Sequence, residues 1–89
     1  MDEVLTPALI RAARGLLGLG QAEVAEKAGL HQRTISKLEG ELDFSLKDLR
    51  RRKALHALKE AFEKEGVEFL FGSENAGEGV RRKIDGTRV

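Results

Sequence analysis

The chain has 89 residues, 16 of them Lys or Arg and 15 Asp or Glu, giving a formal net charge of +1; that length supports one domain with one modest core. With no cysteine and two histidines, disulfides and a thiolate zinc site are excluded and any other metal site is not expected. No apolar run approaches the ~20 residues of a membrane helix and the first residues lack a signal-peptide layout, so a cytoplasmic protein without membrane contact is expected.

In chain order, Thr6-Pro7 opens a first helix, Thr being a good N-cap and Pro suiting the first helical position. Leu9, Ala12, Ala13, Leu16 and Leu17 recur at helical spacing as far as Gly18. Residues 21 to 40 then read as two short amphipathic helices joined at Gly29, where a left-handed backbone is needed that a Cβ would strain. Ala25 is small where a second helix must cross closely, and Val24, Leu30, Ile35 and Leu38 would hold the two at a fixed angle. Together these predict a helix-turn-helix, whose second helix must project rigidly from the body.

After a short connection, Ser45-x-x-Asp48 is a capping box with Asp for Glu, and a helical pattern runs from Leu46 to Glu65. Its apolar residues change face: Leu46 and Leu49 lie together, while Leu55, Leu58 and Phe62 fall nearly opposite. Either a bend near Arg50–Lys53 or a short helix followed by a longer one is expected, ending at Gly66. The period then becomes two: Val67, Phe69 and Phe71 alternate with Glu68 and Leu70 as a strand with one apolar face. Val80–Ile84 is a candidate returning strand after turn-rich residues 73–79, and residues 85–89 are expected to fray. A lone hairpin is marginal, so it must lie on the helices, pair with another copy, or stay partly disordered. The expected division is residues 1–65 as the helix-turn-helix domain and 66–89 as a β extension of it.

The predicted second helix of the motif carries Gln32, Arg33 and Lys37 on its outer face. Arg can donate two bonds to guanine, Gln can pair bidentately with adenine, and Lys can reach a base or a phosphate. Thr34 and Ser36 can add hydroxyl contacts to the backbone, and Gln21 stands at the positive end of its helix, where anions are favoured. The charge distribution adds to this: residues 47–53 hold five basic side chains and one acidic, so Arg50, Arg51 and Arg52 are candidate phosphate contacts or a solvated face. His31 is left between base contact, phosphate contact and imperfect cap.

Residues 8 to 40 resemble the Cro/phage-repressor (XRE) family of helix-turn-helix regulators, in Arg14, Gln21, Ala25, Gly29 and the run Arg33–Glu39. The resemblance implies a mainly α fold, a small helical bundle of the phage-repressor type, here followed by a short C-terminal β-strand or hairpin. It also implies that Arg14 pairs with Glu39 and that a basic run after the second helix of the motif supports the DNA backbone. Gly20 and His31 depart from the pattern, standing where Ser, Thr or Asn normally cap; a lost cap costs about 1 kcal/mol.

The function this implies is a sequence-specific regulator, a repressor binding double-stranded DNA as a homodimer, its Val67–Phe71 strand forming or supporting the dimer interface. The alternative is a protein-interaction module, an antitoxin or antiactivator docking a partner through that same strand. The chain offers no catalytic triad, P-loop, dinucleotide fingerprint or paired carboxylates, so neither enzymatic activity nor a cofactor is expected.

Overall fold

A computed structural model describes residues 5–40 and 49–84. Four helices and one hairpin follow in order: α1 (Pro7–Leu17), α2 (Gln21–Ala28), α3 (Gln32–Gly40), α4 (Leu49–Lys64), β1 (Val67–Leu70) and β2 (Gly79–Arg82). The fold is mainly helical with a two-stranded antiparallel sheet.

Local chemistry sets the helix ends. Thr6 Oγ1 accepts the Leu9 main-chain N–H at 3.2 Å and donates to the Glu78 carboxylate at 2.9 Å, so the α1 cap is also tied to the hairpin loop. α1 stops at Gly18 and α2 at Gly29, with φ of 69° and 70°. At the second turn this left-handed residue lets Leu30 N–H bond back to Ala25 O at 2.8 Å, which turns the chain from α2 toward α3. Gly20 has no side chain with which to cap α2, and the Glu23 carboxylate instead accepts the Gly20 N–H at 2.9 Å.

Every described element contributes to one core. Leu5, Leu9, Ile10 and Ala13 meet Val24 and Ala25, Ile35 and Leu38, then Leu55, Leu58 and Phe62, and finally Val67 and Phe69. α2 lies between α3 and α4. α4 runs uninterrupted from Leu49 through the arginine run to Lys64. The expected change of face therefore needs no break in the described helix: Leu49 is 62% exposed, so only the Leu55, Leu58 and Phe62 face enters the core. Leu46, the Ser45–Asp48 box and residues 85–89 lie outside the described residues.

The hairpin lies on the helices, the first of the three options its sequence left. β1 packs on α4 and β2 on α1, with Val67 opposite Arg82 and Phe69 opposite Val80. Phe62 and Phe69 meet edge to face with centroids 6.0 Å apart. Glu68 and Arg81 pair across the strands at 3.0 Å, and Arg81 holds the Glu68 carboxyl below its usual range. Arg82 Nη2 donates to Leu16 O at 2.8 Å in the last turn of α1. β1 ends one residue before Phe71 and β2 spans 79–82 rather than 80–84.

Phe62→Ala should destabilise the domain by about 3–5 kcal/mol, the usual cost of emptying a buried aromatic site. Ile84→Ala, at a residue 95% exposed, should stay within about 0.5 kcal/mol. Urea denaturation followed by far-UV circular dichroism checks both.

Candidate nucleic-acid interface

α3 has two sharply different sides. Ile35 and Leu38 are buried, and Glu39 joins them with 5% of its surface exposed. Gln32, Arg33, Ser36 and Lys37 are all exposed, within an arc of about 140° at ~100° per residue. Thr34 is half-buried at the margin between the two sides. His31 is exposed immediately before the helix, and its main-chain oxygen accepts the Thr34 N–H at 3.0 Å and the Ile35 N–H at 3.3 Å.

A buried carboxylate in this position needs partners, because an isolated charge taken out of water costs several kcal/mol. Glu39 has them. Arg14 grips it with both faces of its guanidinium fork, Nε to Oε2 at 2.6 Å and Nη2 to Oε1 at 3.0 Å. The third Arg14 nitrogen, Nη1, donates to Leu19 O at 3.0 Å, so the same side chain also braces the turn before α2. The hydrogen bond to Glu39 raises the Arg14 pKa further against the opposing effect of burial, keeping it cationic. Gln21 Nε2 donates to Glu39 Oε1 at 3.2 Å. The side chain expected at a phosphate is therefore bound within the protein through one of its N–H groups.

Arg11, which the sequence did not single out, donates from Nη1 to the main-chain oxygen of Glu39. Three residues from two helices thus converge on one residue near the end of α3. The faint signal for Arg11 is its i, i+3 relation to Arg14, which places both on one face of α1.

Residues 10–39 match the profile of the family described as Helix-turn-helix, about a third of the chain and the span that builds this arrangement. Those residues carry a helix-turn-helix, similar to the XRE type. A domain of this type binds DNA and serves transcription regulation, and α2 and α3 are its two helices. Among curated proteins, none matches the chain.

Outside the matched span of the helix-turn-helix, Arg50 and Arg52 are exposed and Arg51 is half-buried at the start of α4. Lys47 and Asp48, the other end of that charged run, lie outside the described residues. Among the described residues no group of His, Cys, Asp or Glu is placed to hold a metal ion, and no helix is long and apolar enough to cross a membrane.

Arg14→Ala should destabilise the domain by about 3–5 kcal/mol, toward the lower end because 24% of the Arg14 side chain is exposed. Adding Glu39→Gln to that variant should recover part of the loss, since it removes the carboxylate left without its cation. A denaturant-unfolding double-mutant cycle measures the coupling.

Proposed function

We propose that the protein is a sequence-specific transcriptional repressor that works in the cytoplasm and binds a palindromic operator as a homodimer. The observation that carries this reading is the polarity of α3, buried and anchored on one side, exposed and rich in hydrogen-bonding groups on the other. Laid in a major groove, that outer side gives Arg33 to a guanine, Gln32 to an adenine, and Lys37 and His31 to neighbouring base edges. Thr34 and Ser36 meet the sugar-phosphate backbone with Arg50, Arg51 and Arg52. Gln21 joins them, because an amide has two N–H donors and one can reach a phosphate while the other holds Glu39.

Two-fold symmetry follows from the size of the reading head. One short helix meets too few base pairs to define a genomic site, whereas two helices about 34 Å apart meet successive major grooves on one side of the duplex. The β1–β2 hairpin supports the homodimer through its outer strand edges, since no third strand joins the sheet among the described residues. Its apolar face does not serve, because Val67 and Phe69 are buried in the protein's own core. The alternative, an antitoxin or antiactivator module docking a partner through its C-terminal strand, would use the same outer edges, and the polarity of α3 favours the DNA reading over it.

The operator is first recovered by selection from a random duplex pool, and affinities are then measured on it and on a random duplex at two salt concentrations. Arg33→Ala should weaken operator binding by about 1–3 kcal/mol and relax preference at one base pair. Replacing Arg50, Arg51 and Arg52 with Gln should weaken both duplexes alike and reduce the salt slope by about 0.9 for each phosphate no longer neutralised. Equal losses on both duplexes for Arg33→Ala would count against base reading.

Because the native chain has no cysteine, single cysteines introduced at positions 67–71 report on the dimer. One or two of them should form an intermolecular disulfide, and sedimentation should show a dimer at operator-saturating concentrations. A monomer there, or cross-linking only from cysteines placed on α4, would move the interface off the hairpin.

A further inference from the structure

Arg11 Nη1 donates to the main-chain oxygen of Glu39, beside Gly40, the last described residue of α3. One turn further along the same face of α1, Arg14 holds the carboxylate of that same residue. Glu39 is therefore fixed twice from α1, once through its side chain and once through its main chain.

The two anchors constrain different motions. The Arg14 pair resists rotation of α3 about its own axis, since any turn swings the carboxylate off the guanidinium fork. The Arg11 bond pins the backbone at Glu39 and resists tilt of the helix. At ~100° per residue Arg33 and Lys37 lie well round the helix from Glu39 and both are exposed, so a small pivot of α3 becomes a larger displacement at their tips. Hydrogen bonds to bases tolerate little displacement, because they weaken steeply away from 2.7–3.2 Å and good alignment. Coulombic attraction to phosphates declines only slowly with distance and survives the same movement.

We infer that Arg11 is a positioning residue for sequence discrimination: it fixes the attitude of α3 without itself touching DNA. The inference rests on the proposal that α3 reads bases, and it predicts a separation that a merely stabilising residue would not give. Loss of folded protein lowers affinity for every duplex by one factor, whereas a tilted α3 lowers only the affinity that depends on base reading.

The experiment compares Arg11→Ala, Arg11→Gln and Arg11→Lys with the wild type on the selected operator and on a random-sequence duplex of equal length. It is run at two salt concentrations and at a temperature where circular dichroism shows each variant folded. Arg11→Ala and Arg11→Gln should lose about tenfold on the operator and less than twofold on the random duplex, with the salt slope unchanged. Arg11→Lys, which keeps a donor and the charge, should recover part of the operator affinity. Equal losses on both duplexes, or a flatter salt slope, would overturn the inference and make Arg11 a stability or phosphate residue; no loss at all would overturn it too.

Amide hydrogen exchange on the free protein supplies a readout independent of operator choice. The amides of residues 37–40 should exchange faster in Arg11→Ala while those of α1 keep their protection. Unchanged exchange in α3 would overturn the clamp. If the wild type shows no preference for any duplex over random sequence, the base-reading proposal fails separately, and the exchange data still decide whether Arg11 holds α3.

Discussion

A buried carboxylate near the end of α3 sets the terms for the rest of this protein. Glu39 is tolerable inside the protein only while Arg14 and Gln21 complete its hydrogen bonding. Those partners come from α1 and from the first residue of α2, so satisfying one acid brings three helices into a single mutual arrangement. Apolar packing among Ala13, Val24, Ile35 and Leu38 supplies the attraction between these helices, but it is non-directional and tolerates small slides. The charged hydrogen bonds are directional, and they select one arrangement from those that packing permits. The attitude of the exposed side of α3 is in this sense set on its hidden side.

The hairpin is held by a similar division of labour. Val67 and Phe69 bring it onto the helices, while Arg82 on the Leu16 oxygen and Thr6 on the Glu78 carboxylate fix where it lies. Twice, an arginine from another element meets a main-chain carbonyl of a helix, Arg11 on Glu39 and Arg82 on Leu16. Arg82 sits in the last turn of α1, where the helix dipole favours a cation.

The first three helices were legible in the sequence because each carries its own punctuation. Thr6-Pro7 starts α1, Gly18 and Gly29 end α1 and α2, and the apolar residues between them keep helical period. The Arg14–Glu39 pair was reached only by resemblance, since two residues 25 positions apart on different helices leave no periodic trace. Arg11 and Arg82 were missed for a related reason: both bind main-chain oxygens, and a carbonyl has no residue type to read. On α4 the face of Leu49 was weighed equally with that of Leu55 and Leu58, because periodicity cannot tell a buried leucine from an exposed one. The strand's apolar face was visible as such, yet whether it would meet the protein's own helices or a second copy depended on long-range packing.

The neighbour of the first helix in space is the last strand. α1 packs against β2, and Thr6 meets Glu78 across 72 positions of sequence. A chain emerging from the ribosome in N-to-C order would therefore expose the helix-turn-helix well before the elements that cover α1 exist. Closure across this distance comes late and carries the entropic cost of a long loop. A nascent helix-turn-helix that has not yet received its hairpin lacks two members of its core, Val67 and Phe69. Synthesis interrupted near residue 65 would thus yield a chain that holds every α1 and α2 anchor of α3 yet leaves α1 without the hairpin that covers it.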